Sequence, residues 1–248
     1  MDGDTFRLMA SHEDHHWWFV GRRAVIDAVL DRADLPPGAS VLEAGCGTGG
    51  NLYLLERRGR VSAFEPSFEA REIASSKHGG GRVVHDGELP DRLPFEPASF
   101  DLVVALDVLE HIERDAEALA ALVRQARPGG WILVTVPAHP ILWGVHDRRL
   151  HHVRRYRRAS LRRLCAESGA EIAYFTAFNT VLAPLAVTLR LAERLLPISF
   201  GNQERMPLRP INRLLAGLFA LEGPIVRRTS LRAGLSYAVL LRRPGAAP

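Results

Sequence analysis

The stretch Val41-Leu42-Glu43-Ala44-Gly45-Cys46-Gly47-Thr48-Gly49-Gly50-Asn51 decides the fold, because an apolar strand end and an acid run directly into a glycine-rich turn. Glycines at positions 45, 47 and 49 let the backbone adopt positive φ and approach a ligand closely. A Rossmann dinucleotide site uses the same device, but its third glycine comes three residues after the second. The G-x-G-x-G spacing here differs from that pattern, and Glu43 stands two residues before the first glycine.

Further segments repeat the order of strand, acid and helix. The run 60–64 reads as a second strand that ends in Glu65-Pro66, and an acid at this place can accept both ribose hydroxyls of a nucleotide. Asp86-Gly87 follows a third short apolar run, and the run 100–106 before Asp107 is almost wholly apolar. Apolar strands of this kind are expected when helices cover both faces of a parallel sheet.

Together these segments resemble the class I S-adenosylmethionine-dependent methyltransferases. The likeness to the ubiquinone/menaquinone type covers nearly the whole chain, through residues 16–23, 142–147 and 152–156. It implies an α/β fold: a Rossmann-like, seven-stranded, mostly parallel sheet with helices on both faces. The last strand is expected to be antiparallel, with extra helices between the last two strands.

The same resemblance implies S-adenosylmethionine as the cofactor. Within the site the glycine turn would pack on the methionine part, Asp86 would bind the adenine amino group, and Arg22 or Arg23 would bind the carboxylate. The residues assigned to cofactor binding are Arg22, Glu43, Gly45, Cys46, Gly47, Glu65, Pro66, Asp86, Gly87 and Leu106.

Length and composition favour one α/β domain: 248 residues, of which 47% are apolar. Its expected parts are an N-terminal helical cap over 12–34, a cofactor-binding core over 35–180, a helical insertion over 181–232 and the last strand over 233–243. Two cysteines imply no disulfide framework. A polar N-terminus and the lack of a spanning apolar run predict a cytoplasmic location, with membrane association left open.

Histidines supply the candidate bases. His111 follows the fourth strand, at the edge where open α/β sheets bind ligands. His146 and His152 follow the fifth strand, and Asp147 is expected to orient the ring of His146 beside it. His111, His146 and His152 are therefore the predicted catalytic residues. The predicted substrate-binding residues are Trp18, Trp143, Arg155 and Tyr156.

A divalent metal is an alternative. Asp107, Glu110 and His111 have the i, i+3, i+4 spacing that can share a helix face. They resemble the E-x-x-E-H metal motif of small-RNA 2′-O-methyltransferases and ubiquinone-pathway O-methyltransferases. The fourth ligand would be His146, His151 or His152. Since related enzymes carry the same turn without a metal, the sequence does not favour one, and no metal ligand is assigned.

Two further features leave several interpretations open. Eight arginines between 148 and 163 predict either an anion-binding patch or an ordinary solvated face. Amphipathic helices are predicted over 182–197 and 211–222, where they would cap a pocket, form a homodimer interface, lie peripherally on a membrane or pack on the domain.

The leading hypothesis is O-methylation of a small apolar acceptor that is isoprenoid, polyketide-like or lipid-linked. An N- or C-methyl acceptor stays open because the donor site is the same for all three. Metal-dependent RNA 2′-O-methylation is a further alternative. A nucleic-acid partner is not expected, because aromatic residues do not interleave with the arginines beyond Tyr156. Glu65 and Asp86 argue against a non-catalytic binding protein.

Overall fold

Seven strands form one sheet in a computed structural model that describes residues 3–77, 83–188 and 206–245. The spatial order is β3-β2-β1-β4-β5-β7-β6, and the first five strands run parallel, whereas β7 is antiparallel to both of its neighbours. The strands are β1 Ala39–Ala44, β2 Gly59–Glu65, β3 Val84–Asp86, β4 Phe100–Leu106, β5 Ala126–Pro137, β6 Glu171–Phe178 and β7 Ser236–Arg242. The predicted fold class is confirmed.

Nine helices with defined bounds surround the sheet in the described part of the chain. They are α1 Gly3–His12, α2 Trp17–Leu30, α3 Leu52–Glu56, α4 Phe68–Ser76, α5 Asp115–Gln125, α6 Val145–Arg149, α7 Arg158–Glu167, α8 Arg209–Ala220 and α9 Glu222–Arg228. Helices α5 and α7 bury Leu122 and Leu161 against one sheet face. Helices α2, α3, α8 and α9 cover the other face, where Ile26 and Phe219 are buried. No helix in the described ranges is long and apolar enough to span a bilayer.

The turn after β1 requires glycine. Gly45 has φ +67°, and a Cβ there would lie 3.0 Å from Val108 Cγ2, so a side chain would meet both strain and crowding. The backbone N–H groups of Gly45 and Cys46 donate to the carbonyl oxygen of Phe64 at 2.9 and 3.1 Å. The turn therefore lies at the carboxyl ends of β1 and β2, where the acids Glu43 and Glu65 stand.

Two local features differ from the sequence expectation. The helical N-terminal region begins at Gly3 rather than at residue 12, as α1 and α2 separated by a turn in which His16 Nδ1 accepts from Trp18 N. The run Pro128-Gly129-Gly130, which the sequence suggests is a turn before the fifth strand, lies inside β5, where the pairing with β4 shifts register. Gly129 there has φ +77°, as a bulge in an otherwise paired strand requires.

The insertion is described in part. Residues 183–188 are helical, and the remainder of the helix predicted over 182–197 lies outside the described residues. The helix predicted over 211–222 is present as α8, and α9 follows it directly. Helix α8 packs on α2, where Gly21 permits the close approach: a Cβ at Gly21 would lie 2.5 Å from the Phe219 side chain.

Candidate active site

Glu65 joins the second strand to the glycine-rich turn. Its Oε2 accepts a hydrogen bond from Gly47 N at 3.0 Å, and its Oε1 accepts one from Ser67 N at 3.0 Å. Burial raises the pKa of this carboxyl above its usual value, although the two backbone hydrogen bonds oppose the shift. The carboxylate is thus fixed beside the turn at the carboxyl edge of the sheet.

Glu43 is buried near the end of β1, and its two carboxylate oxygens differ in their hydrogen bonding. Its Oε1 accepts from Asn51 Nδ2 at 3.1 Å, while Oε2 is buried and has no hydrogen-bond partner among the described residues. Burial raises the pKa of Glu43 to about 7, against the hydrogen bond from Asn51 and the nearby charge of Arg22. A buried polar atom without a partner is costly unless a ligand satisfies it.

Arg22 reaches from α2 to the end of β4. Its Nη2 lies 2.7 Å from Asp107 Oδ2, and its Nε is buried without a partner among the described residues. Asp107 Oδ1 also accepts from Thr135 Oγ1 at 3.0 Å. The guanidinium stacks over Trp18, 5.1 Å from the ring centroid. Trp18 therefore lies at this edge, next to the assigned cofactor residue.

Asp86 ends β3 and is half-exposed. It forms ion pairs with Arg71 Nη1 at 2.8 Å and Arg92 Nη1 at 2.5 Å. The hydrogen bond from Arg92 lowers the pKa of this carboxyl. Arg71 Nη1 also donates to the carbonyl oxygen of Pro66 at 2.9 Å. The acids that end β1, β2 and β3 are therefore held at one edge of the sheet, as their positions in the sequence predict.

The remaining residues assigned to cofactor binding lie at or just after the carboxyl ends of β1, β3 and β4. Leu106 is the last residue of β4, and Cys46 is a buried free thiol whose pKa is raised by burial. Gly87 follows β3, and a Cβ there would lie 2.7 Å from Pro94 Cδ. At Gly47, by contrast, a Cβ would meet nothing within 4 Å, so there is open space beside the turn.

Three histidines meet beside this edge. His111 ends a 3-10 turn, Leu109–His111, and its ring centroid lies 4.8 Å from that of His152 in an edge-to-face arrangement. The His146 ring lies 6.4 Å from His152. The structure therefore brings together all three predicted catalytic residues.

Asp147 orients His152. Its Oδ1 accepts from His152 Nδ1 at 3.0 Å and from Arg155 Nε at 2.6 Å, and its Oδ2 accepts from Gly144 N at 2.9 Å. This contact with His152 adds to the sequence expectation, which named His146 as the neighbour of Asp147. Although burial opposes it, the hydrogen bonds from His152 and Arg155 hold the pKa of Asp147 well below its usual value.

His111 is held neutral. Burial lowers the pKa of its imidazole to about 4, and the neighbouring His152 adds to the shift. An imidazole with this pKa keeps an unprotonated ring nitrogen throughout the physiological range. Such a nitrogen can accept a proton or bind a cation.

The predicted metal trio does not form. Asp107 has φ +57° and lies before the 3-10 turn, so it shares no helix face with Glu110 and His111. The structure instead brings Glu110 and His111 to His152, with one ligand atom of each residue within 4.8 Å of the others. Glu110 is fully buried, and both its carboxylate oxygens lack hydrogen-bond partners in the described part of the chain. Burial and the nearby Asp107 raise the pKa of its carboxyl.

Two of the four predicted substrate residues have their polar groups occupied within the protein. Arg155 is buried and binds Asp147 and the carbonyl oxygen of Ala138 at 3.2 Å. The hydroxyl of Tyr156 is buried and donates to Asp115 Oδ2 at 2.9 Å. Their burial favours a role in positioning neighbouring groups over substrate contact. Trp143 lies between the turn Pro140–Leu142 and α6.

One contact was missed by sequence reasoning. Glu13, in the turn between α1 and α2, is buried against the glycine loop, where Thr48 Oγ1 donates to its Oε1 at 2.8 Å and Lys77 pairs with the same oxygen. The N-terminal segment therefore covers the glycine turn. A lone glutamate in a polar stretch gives no sequence indication of this, because the contact spans distant parts of the chain.

Residues 17–174 match the methyltransferase domain family, Methyltransf_23, and the chain belongs to this family as a class I S-adenosylmethionine-dependent methyltransferase. Over 170 residues it is 30% identical to the "Probable S-adenosylmethionine-dependent methyltransferase" of Mycolicibacterium smegmatis, covering 67% of this chain and 64% of that protein. Over 156 residues it is 31% identical to the ubiquinone biosynthesis O-methyltransferase of Thiobacillus denitrificans, covering 54% of this chain and 65% of that protein.

The chain thus spans less than two thirds of the length of either curated relative. Among solved structures, it shares its fold with the methyltransferase of a complex with the Haloferax volcanii Trm112 methyltransferase activator. That similarity has a TM-score of 0.63 at 18% identity and covers 99% of this chain and 98% of the other. The predicted family and its cofactor, S-adenosylmethionine, are confirmed.

The residues present fit this cofactor. There is open space beside Gly47, and two buried polar atoms of the assigned cofactor residues, Glu43 Oε2 and Arg22 Nε, lack partners in the described ranges. S-adenosylmethionine carries an ammonium, a carboxylate and ribose hydroxyls, which are groups that can satisfy an acid and a guanidinium.

Proposed function

We propose that this chain transfers the methyl group of S-adenosylmethionine to a hydroxyl oxygen of a small, mostly apolar acceptor, with His111 as the base. The neutral imidazole of His111, beside the fixed imidazole of His152 at the carboxyl edge of the sheet, is the observation that carries this proposal. When bound, the cofactor supplies a methyl group already activated by its sulfonium, so the protein's task is to position the acceptor and remove its proton.

The cofactor is assigned to the groups at the carboxyl ends of β1 to β4. Glu65 is assigned to the ribose hydroxyls, Asp86 to the adenine amino group, and Arg22 to the carboxylate. Arg22 already pairs with Asp107 at 2.7 Å, so Asp107 would hold the guanidinium in place for that role. Glu43, with one unpartnered oxygen and a carboxyl that titrates near neutrality, is assigned to the ammonium group.

The acceptor proton passes to His111. A hydroxyl oxygen attacks well only after its proton is removed, and a neutral ring nitrogen can take that proton. His152, fixed by Asp147 at 3.0 Å, would position His111 and help to keep its ring neutral until the acceptor proton arrives. His146 completes the histidine cluster and is the second candidate base.

Two features support an apolar acceptor bearing a hydroxyl. Trp18, against the guanidinium of Arg22, and Trp143, three residues before His146 in the sequence, offer aromatic surface. Ubiquinone biosynthesis O-methyltransferases of several bacteria match 38–54% of the chain, which supports an oxygen acceptor on an isoprenoid-linked ring. An amine or carbon acceptor would use the same cofactor site and is the alternative.

Methyl-labelled S-adenosylmethionine tests this assignment with a prenylated catechol and with the matched compound that carries an amine in place of the reacting hydroxyl. We expect the labelled methyl group in the organic phase, bound to oxygen, with the catechol only. The His111→Gln variant is the control and should not transfer the label. Label on nitrogen or carbon would overturn the oxygen assignment. Label recovered in the nucleic-acid fraction of a bacterial extract would instead support RNA methylation.

A second candidate is metal-assisted O-methylation, favoured by the cluster of Glu110, His111 and His152. A carboxylate and two imidazoles suit Mn²⁺ or Zn²⁺, which would acidify a bound hydroxyl. Chelation of the protein followed by titration with Mn²⁺ alone tests this candidate, with calorimetric binding to wild type and Glu110→Gln compared. Full activity after chelation, with equal heats for both proteins, would rule it out.

A further inference from the structure

The outer side of helices α8 and α9 carries an apolar stripe. Ile211, Leu214, Leu221 and Ile225 are exposed and follow one another at intervals of three, seven and four residues, which places them along one face of the helical segment. Leu214 and Leu221 are 62% and 59% exposed, and Leu208 just before α8 is 73% exposed. Contiguous exposed apolar surface of this kind marks an interaction site.

Packing on the domain does not require this stripe. A different face holds α8 and α9 against α2: Phe219 is fully buried, its ring centroid 6.2 Å from that of Trp17, and Val226 is buried. Asn212 Oδ1 accepts from Trp17 N at 2.8 Å on that same face. The stripe therefore lies beside the packed face rather than within it, and faces outward.

Basic residues border the stripe. Arg209, Arg213 and Arg228 are exposed on its polar flank. Between residues 206 and 232 the sequence has one acid, Glu222, which is buried and accepts from the backbone N–H groups of Thr180 and Val181. The exposed side of this segment is therefore apolar and cationic, with no acidic group on its own element.

An arginine-lined cleft continues this surface beyond Arg228. The cavity, of about 420 Å³, is also lined by Arg32, Arg158 and Arg162, and its lining contains no carboxylate. Arg32 lies 3.9 Å from the centroid of Tyr174, and Arg158 lies 4.4 Å from that of Phe175. Aromatic rings hold these guanidinium groups in place without neutralising their charge. The charge of its lining thus suits the cleft to an anionic group.

We propose that this surface docks on an anionic lipid bilayer, with the stripe entering the boundary between headgroups and acyl chains and the cleft receiving a lipid phosphate. An amphipathic helix with a basic flank binds such membranes through buried apolar area together with attraction to acidic headgroups. The arginines are spread along α8, α9 and the cleft, so they complement the charge of a surface that carries many anions. This inference is independent of the acceptor proposed above.

Flotation of the full chain with lipid vesicles tests the proposal. The vesicles are of phosphatidylcholine alone or of phosphatidylcholine with phosphatidylglycerol, each at low and high salt. We expect binding to the anionic vesicles, weakened by salt, and little binding to the neutral ones. Absence of wild-type binding to the anionic vesicles would overturn the proposal.

Two variants assign the binding to this surface. Leu214→Ser with Leu221→Ser should weaken it by about tenfold or more, since both side chains would lose apolar area buried at the acyl-chain boundary. Arg158→Gln, Arg162→Gln and Arg228→Gln together should weaken it by about fivefold per arginine, the factor that corresponds to about 1 kcal/mol for each cation near the surface. The matched controls change exposed residues elsewhere: Leu8→Ser with Val83→Ser, and Arg7→Gln with Arg57→Gln and Arg114→Gln.

Two other outcomes would contradict the proposal. If wild type is a dimer in light scattering, the leucine variant is a monomer and neither binds vesicles, the stripe is an interface between two copies of the chain. If inorganic phosphate alone binds the cleft as tightly as the vesicles do, and the leucine variant floats like wild type, the cleft is a site for a free anion. Equal binding by both variants and their controls would also overturn the assignment.

Discussion

Asp147 Oδ1 accepts hydrogen bonds from two donors, His152 Nδ1 at 3.0 Å and Arg155 Nε at 2.6 Å. Because a carboxylate only accepts hydrogen bonds, Nδ1 of His152 must carry its proton. In the neutral ring the lone pair then lies on Nε2. The buried acid thus fixes both the orientation and the tautomer of the imidazole beside His111.

Asp147→Asn should lower kcat by about 10- to 100-fold, the usual cost of losing a carboxylate that orients a functional histidine. The amide leaves Arg155 without its carboxylate and no longer specifies the His152 tautomer. Steady-state kinetics and calorimetric titration with S-adenosylmethionine measure the two effects separately. We expect the cofactor affinity to stay near that of wild type, as it should for the exposed control Asp91→Asn. A loss confined to cofactor affinity would contradict the role given to Asp147.

His111→Gln should lower turnover by about 100-fold or more, the range for loss of a general base. The base acts in its neutral form, which exists above its pKa. Because burial lowers the pKa of His111 to about 4, the wild-type rate should be constant from pH 6 to 8 and fall only in more acidic solution. A pH–rate profile measures this, and His12→Gln serves as the control. A rate that rises through pH 6.5 would assign the base to another residue.

Glu65→Ala should weaken S-adenosylmethionine binding by about 1.5–3 kcal/mol, the range for hydrogen bonds to a charged group. The loss has two sources: the hydroxyl contacts assigned to Glu65 and the restraint on Gly47 N at 3.0 Å. Glu65→Gln keeps an acceptor and should recover part of the affinity. Calorimetry gives the dissociation constants, with Glu69→Ala in the following helix as the control. Unchanged affinity would remove Glu65 from the cofactor site.

Glu43→Gln should change how stability depends on pH. In the folded protein the pKa of Glu43 is raised from 4.5 to about 7, so the folded state holds a proton that the unfolded state has released. The stabilisation from this proton is present below pH 4.5 and is lost as pH rises through 7. Glutamine resembles the protonated acid at every pH. The variant should therefore be about as stable as wild type at pH 4.5 and more stable by about 3 kcal/mol above pH 7.

Urea unfolding of the cofactor-free protein across that pH range measures the effect. Glu167→Gln, on the exposed side of α7, controls for the loss of a carboxyl as such. Parallel stability curves for wild type and Glu43→Gln would show that Glu43 titrates normally.

Local pattern accounts for most of the fold and for the cofactor half of the site. The glycine spacing and the acids near the strand ends can be read from the sequence. Because parallel strands place their carboxyl ends at one edge of the sheet, these residues are predicted to lie together. The alternation of apolar strands with helical segments likewise predicted a mostly parallel sheet, whereas the antiparallel last strand was implied by the family resemblance. These features depend on residues that lie close together in sequence.

The part of the candidate site that contains the histidines depends on contacts between separate segments of the chain, which sequence periodicity does not predict. The α6 helix and the turn after it bring His152 to the carboxylate of Asp147. Val153 N donates to Glu110 O at 2.7 Å, which joins the segment after α6 to the turn after β4. No local rule predicts that junction, so the proximity of Glu110 to His152 appears only in the folded chain.

Gly21 and Arg22 are neighbours on α2, yet they face different partners. Gly21 lies against Phe219 of α8, whereas Arg22 pairs with Asp107 at the end of β4. One turn of α2 therefore carries both the contact with the outer helix α8 and the guanidinium of the candidate active site. The outer layer and the charge network around Asp107 are joined by a single secondary-structure element.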